Sequence, residues 1–223
     1  MKIYGVPLSV HTRKVIVAAR LKDLPFDVQV VVPVVPDTLP PNWRAISPTG
    51  LVPVIEDMGF QLADSTAIIH YLEHKHPMPA LLPRDGEELG TALFLDTWAG
   101  SELFRKVVHP IFHNQVVNPN IRKAPVDHAA IDLAMHQAAP EAFGYLESLS
   151  PDGYLVGRNE TIADLAVVSN LIVFHYLGCR IDTRFPKLYA YFRHQLECPL
   201  LKETLAEEKS FADQMGLDRS FIE

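Results

Sequence analysis

Cysteine is nearly missing from this chain: Cys179 and Cys198 are the only two, and they do not form a C-x-x-C pair. In a reducing compartment such a pair reads as buried thiols rather than a disulfide. Long apolar runs are missing too, since none approaches the roughly 20 residues needed to span a bilayer. The opening Met1-Lys-Ile-Tyr-Gly5 reads as a strand and lacks the apolar segment of a signal peptide. A cytoplasmic location is therefore expected, with no membrane partner. Basic charge is in deficit, 20 Lys and Arg against 27 Asp and Glu, for a net charge of −7. That argues against nucleic acid, because neutralising phosphates needs a basic face. There is no internal repeat and no low-complexity tract. What is present, 48% hydrophobic and 21% charged residues in 223, suits a substantial core in one large domain or two small ones.

The most informative stretch runs from Thr49 to Ile69. Two short apolar runs flank Asp57-Met58-Gly59, the pattern of a tight hairpin with Gly supplying a positive φ. Val52-Pro53 stands directly before it. Proline cannot donate to a sheet ladder, so Val52 is expected just outside the strand, its own N–H and C=O free for a ligand. Asp64-Ser65 stands directly after it, followed by Ile68, Tyr71 and Leu72 at helical spacing. The free N–H groups of a helix start suit an anion, and Asp64 suits a cation. A zwitterion such as an amino acid fits that combination; a plain N-cap is the simpler use of the same residues.

Along the rest of the chain, Lys2 to Gly5 predicts a strand, and Val15, Ile16 and Ala19 mark a helix face capped by Ser9 or Thr12. Phe26 to Val32 is a β-branched run suited to a buried strand. Pro33, Pro36, Pro40 and Pro41 exclude regular structure up to Asn42–Ile46, which predicts one helical turn. A helix over Ser65–His76 completes a thioredoxin-like α/β order with its right-handed crossover. The proline-rich stretch from Pro77 to Gly86 breaks all periodicity. The expected division is an α/β domain over 1–76, a linker over 77–87 and an all-helical domain over 88–223. In that second part Leu89, Leu93 and Trp98 open a long helix towards Val117, bent near Pro110. A second covers Val126–Leu149, interrupted by Pro140. Ile162, Leu165, Ala166, Ser169, Ile172, Val173 and Tyr176 hold one apolar face of a core helix. Phe185–Leu196 and Leu200–Glu208 finish the bundle. Thr161-Ile-Ala-Asp164 predicts a capping box, a structural motif with Asp in place of Glu.

The order Val-Pro, strand, tight turn, strand, Asp-Ser, helix resembles the glutathione-binding half of cytosolic glutathione S-transferases. The Thr-x-x-Asp box before a central helix is similar to that family's second domain, so the resemblance covers both parts. It implies a thioredoxin-like N-terminal domain plus an all-α C-terminal bundle. It also implies a cis Val52–Pro53 bond, main-chain bonds from Val52 to the cysteinyl part of glutathione, and an Asp64–Ser65 pair holding the γ-glutamyl end. Many members carry Glu at the Asp64 position; Asp is one methylene shorter, which shifts weight to Ser65. Leu51 and Pro53 complete the implied glutathione-binding set, with Thr12 beside the sulfur. Thr38, Asn42, Arg44, Gly50 and Leu51 occupy places where some members bind the glycyl carboxylate, and Arg44 is the cation available. A homodimer is implied by resemblance alone.

Pro7-Leu-Ser9-Val-His-Thr12-Arg13-Lys-Val15 is similar to the serine-type theta, delta and phi classes. A free thiol has a pKa of about 8.5 and reacts as the thiolate. Lowering it by about two units requires roughly 2.7 kcal/mol of preference for the anion. One hydrogen bond to a charged group supplies about 1.5–3 kcal/mol, and a helix N-terminus up to about 1 more. A single hydroxyl is enough, and neither a metal nor a general base is required. Ser9 is the expected donor, Thr12 the runner-up, and Tyr4 a third candidate with a more natural core role. The first domain holds no Cys. His70/His74 and His109/His113 have i, i+4 spacing but no third ligand in a recognisable metal motif. His109, Phe112, His113 and Val116 are candidate walls of the second-substrate pocket, or ordinary helix surface.

The functional expectation is conjugation of glutathione to a small apolar electrophile. The alternatives are a glutathione-dependent isomerase or disulfide reductase, and a non-catalytic interaction protein on the same fold. Isomerases of this family show a denser serine start than Leu8-Ser9-Val10-His11-Thr12. Interaction modules tend to lose the donor or the acidic–Ser pair, and this chain keeps Ser9, Val52-Pro53, Asp64 and Ser65.

Overall fold

The computed structural model describes residues 1–149 and 152–222. Its first part holds β1 (Lys2–Gly5), α1 (Val10–Leu21), β2 (Asp27–Val30), α2 (Trp43–Ile46), β3 (Val54–Asp57), β4 (Phe60–Ala63) and α3 (Ser65–Lys75). The four strands form one mixed sheet in the order β2-β1-β3-β4, with β1 parallel to β2 and antiparallel to β3. Met58 and Gly59 both take positive φ, 51° and 84°, so the hairpin turn twists with its strands. Ile3, Val15, Ile16, Ile55, Ile68 and Leu72 pack α1 and α3 on one face. Tyr4, Val31, Trp43, Ile46 and Val54 close the other under α2.

One expectation needs correcting. The Phe26–Val32 run does not make a buried strand: β2 is an edge strand, and Asp27, Gln29 and Val30 are exposed. Its β-branched composition reflects pairing with β1 on a single side, which hydrophobicity alone does not distinguish from burial on both faces.

The helical part opens with α4, a continuous rod over 86–122. Wide π-type turns over Ala99–Val108 and His113–Arg122 flank an ordinary α segment at His109–Phe112. Pro110 and Pro119 lie inside this continuous helix, where each lacks the N–H that would bond back to the preceding turn. α5 covers 128–148 and runs through Pro140 without the expected interruption, the proline's missing N–H leaving one back-bond unmade. Then follow α6 (Ile162–Tyr176), α7 (Pro186–Leu196), α8 (Pro199–Glu207) and α9 (Lys209–Gln214). α9 has no counterpart in the sequence reading, its six residues being too short to show a period.

α6 also departs from the single-face expectation. Every one of its residues is buried, so it is the axis of the bundle rather than a wall. Asp164 starts it as the capping box predicts. It accepts the Thr161 N–H at 2.9 Å, and also the Leu155 N–H at 2.9 Å and the Tyr191 hydroxyl at 3.0 Å. The two halves share one core: Val10, Val17 and Ala18 of α1 and Ile69 of α3 belong to the same apolar cluster as α6. No helix among the described residues is long and apolar enough to cross a membrane.

Candidate functional site

Strand register gathers the predicted residues at one end of the sheet. Tyr4 pairs with Val54 and Val54 with Ala63. The chain leaving β1 towards Ser9, the chain entering β3 through Val52-Pro53, and the chain leaving β4 into Asp64-Ser65 therefore emerge side by side. The Val52–Pro53 peptide is cis. Val52 makes no main-chain hydrogen bond among the described residues. Leu51 is exposed, and its carbonyl already accepts the Ser47 hydroxyl at 2.7 Å.

Ser9 is the N-cap of α1, with extended backbone at φ −69°, ψ 127°. Its Oγ accepts the Thr12 N–H at 3.4 Å, while its own hydroxyl proton has no acceptor among the described residues. Asp64 caps α3 from φ 80°, a left-handed conformation that strains a residue with a side chain. Its Oδ1 accepts the Ala67 N–H at 3.0 Å. Ser65 begins α3 and is buried. Asp64 and Ser65 line a cavity of about 330 Å³ together with Val10, His11, Lys14 and Thr66, against α4 and α6.

Thr12 does not join this group. Its side chain is fully buried with Oγ1 unpartnered, and it packs where a side chain on Gly5 would stand. The runner-up donor thus loses its geometric support. The Tyr4 hydroxyl donates to Glu56 at 2.8 Å, and its ring packs on Trp43. Arg44 lies under Gly50, whose φ of +73° and lack of a side chain leave room for the guanidinium. Thr38 is occupied in a loop latch, meeting the Val32 N–H at 2.9 Å and the Val35 carbonyl at 2.8 Å.

The structure adds residues that no sequence signal marks. Lys14 and Asp96 form a buried ion pair, and Thr66 donates to the other Asp96 oxygen at 2.6 Å. The partners lie 82 residues apart and show no local pattern. Arg13 is held away from the cavity, donating to Glu208 through Nε and Nη2, each at 2.7 Å, and to the Ser169 carbonyl through Nη1 at 2.9 Å. Burial lowers the His11 pKa to about 4, with help from Lys14, so the ring is neutral at pH 7. It meets Phe104 edge-on at 4.8 Å, and His109 and His113 extend the row, stacked at 5.3 Å. Burial and nearby cations lower the pKa of both. Val116 turns into the interior instead. His70 and His74 are exposed, and no cluster of three metal-ligating side chains occurs among the described residues.

Two family models match, one described as glutathione S-transferase, N-terminal domain, over residues 3–81, and one as glutathione S-transferase, C-terminal domain, over 112–208. The chain is 29% identical to FtsZ-localized protein A of Caulobacter vibrioides, over 79% of this chain and 78% of that one. It is 26% identical to glutathione S-transferase theta-1 of Homo sapiens, covering 93% and 86% of the two chains. A structure of the human T1-1 enzyme in its apo form superposes with a TM-score of 0.82 at 24% identity, covering 96% of this chain and 90% of that one. A maleylpyruvate isomerase from a Ralstonia species is 28% identical over 75% of this chain and 79% of its own.

Proposed function

The chain belongs to the cytosolic glutathione S-transferase family, and we propose that it conjugates glutathione to small apolar electrophiles, with Ser9 stabilising the thiolate. In this reading the tripeptide lies along the Val52 main chain. Its γ-glutamyl end rests against Asp64 and Ser65, and its glycyl carboxylate is held by Arg44. The thiol releases its proton to solvent; the sulfur then attacks an electrophilic carbon and displaces its leaving group. The observation that carries the reading is the Ser9 hydroxyl: it is an N-cap whose proton is uncommitted. Such a donor supplies about 1.5–3 kcal/mol to an anion, most of what a two-unit pKa depression requires. The stacked neutral rings of His109 and His113 are suited to a flat apolar electrophile. Homodimer formation belongs to the same proposal.

The test is turnover of a chloronitrobenzene with glutathione, wild type beside Ser9→Ala. Unchanged activity in the variant removes Ser9 from its role. A second reading, an interaction protein, has support in the 29% identity to FtsZ-localized protein A, and an isomerase in the 28% identity to maleylpyruvate isomerase. Calorimetry with glutathione separates the first of these from the enzymes, since a protein that binds no glutathione belongs with the interaction modules. Isomerisation of maleylpyruvate without conjugating activity selects the isomerase.

A further inference from the structure

We propose that the segment 215–222, after α9, is an acid-released strap: it is latched over His175 at the end of α6 and lifts when that imidazole takes up a proton. The device works whether or not the protein binds glutathione.

Three arginines and one main-chain bond hold the strap down. The Asp218 N–H donates to the Tyr176 carbonyl at 2.8 Å. Arg180 donates to the His175 carbonyl at 3.1 Å and the Cys179 carbonyl at 2.7 Å, and from the same guanidinium to the Asp218 carboxylate and the Ser220 hydroxyl. Arg193 of α7 donates to the Phe221 carbonyl at 2.9 Å, and Arg219 to the Leu205 carbonyl at 2.9 Å. Held this way, the Phe221 ring packs on His175 with centroids 5.1 Å apart, and Phe192 of α7 stacks on the same imidazole at 4.6 Å.

His175 is 1% exposed. A neutral imidazole carries one N–H donor and one bare acceptor nitrogen. Both nitrogens of His175 are buried, and neither has a partner among the described residues. Buried polar atoms are overwhelmingly paired, so a histidine that uses none of its polar atoms, packed among phenyl rings, stands out. Under the closed strap a second proton would be a buried charge with no acceptor.

The charged groups around the ring do not relieve this. Arg180 beyond α6 and Arg193 of α7 oppose the proton, and Asp218 of the strap is the one anion favouring it. Asp218 is already engaged by Arg180 and by the Ser220 N–H at 2.8 Å, bonds that hold its pKa at about 2. Glu208, next to Tyr176, is taken up by Arg13. Burial above all, with Arg180 next, lowers the His175 pKa from 6.5 to about 3. Lifting Phe221 opens the ring to water and lets it titrate in its ordinary range. The open strap thus binds a proton that the closed one refuses. Closure has its full stability above pH 6.5 and weakens about tenfold for each pH unit below it, down to about 3.

The experiment is amide hydrogen exchange on the full chain at about pH 7.5 and 5.5, read residue by residue and divided by the intrinsic rates. In wild type the opening constants of the Asp218 and Ile222 N–H groups are expected to rise about tenfold at the lower pH. At both pH values they should exceed that of Leu171, inside α6, by at least about tenfold. His175→Phe keeps an aromatic ring in the stack and every other titrating group, and its strap amides should show no such rise. Should that variant not fold, His175→Leu is read in the same way. A wild-type strap whose opening does not change with pH overturns the proposal, as does an equal rise in the variant. Strap amides that exchange no faster than Leu171 overturn it too, since the segment would then open only with the whole fold.

Discussion

Arg13 and Glu208 form a fully buried, two-pronged ion pair across the seam between the halves, 195 residues apart in sequence. The Tyr176 hydroxyl donates to Glu208 at 3.1 Å, and its ring faces the guanidinium at 5.7 Å. The arginine that the serine-type pattern draws attention to is thus an inter-domain fastening. Glu208→Ala strands a buried cation, and loss of about 3–5 kcal/mol is expected. Replacing both partners together with apolar residues, Arg13→Met with Glu208→Leu, should cost far less, because no charge is left unpaired. Urea unfolding of the single and double variants measures the difference.

Ser9→Ala acts on chemistry and on stability at once. Without the donor the bound thiolate loses about 1.5–3 kcal/mol of stabilisation, so the thiol pKa should rise by about one to two units. The rise is upward because the lost bond favoured the anion. Ultraviolet titration of the bound thiolate reads it directly. The lost cap on α1 should separately lower stability by about 1 kcal/mol, and Ser9→Thr should recover much of both.

Thr12→Val separates the two hydroxyls. Thr12 Oγ1 is buried without a partner, so removing it gives up no hydrogen bond. Stability should hold or rise by up to about 1 kcal/mol, since the valine is close in shape and carries no unsatisfied oxygen. Conjugating activity should stay at the wild-type level. A drop in activity with unaltered stability would return Thr12 to the list of donors.

Glu160 carries a pH prediction away from the site. Burial, with the nearby Asp164 carboxylate, pushes its pKa from 4.5 up to about 7. Between those values the folded protein holds a proton that the unfolded chain has released. Stability therefore falls as pH rises through that window. Glu160→Gln should be more stable than wild type at pH 8, by roughly 1–3 kcal/mol, and indistinguishable from it at pH 4. Thermal melts at the two pH values check this.

The local grammar of this fold is legible in the chain. The hairpin around Met58-Gly59, the Ser9 cap, the Asp64 cap and the Thr161/Asp164 box each depend on residues within a few positions of one another. A proline, a turn glycine or a capping side chain sets backbone torsions nearby, and that information is contained in a short window. The three segments of the candidate site are legible for the same reason, since each lies next to a strand end that its own neighbours specify.

Other features depended on what those windows met in three dimensions. β2 has the composition of a buried strand and became an exposed edge because only β1 pairs with it. α6 shows an apolar stripe and became buried all round because α1, α4 and α7 pack against it from different sides. Arg13 and Lys14 gave no local sign of their tasks. An ion pair to Glu208 and another to Asp96 are relations between distant residues. The sequence by itself determined torsions, caps and strand ends, which are short-range. Which charges are buried together, and which residues line the cavity between the halves, was decided only when the tertiary structure brought those residues side by side.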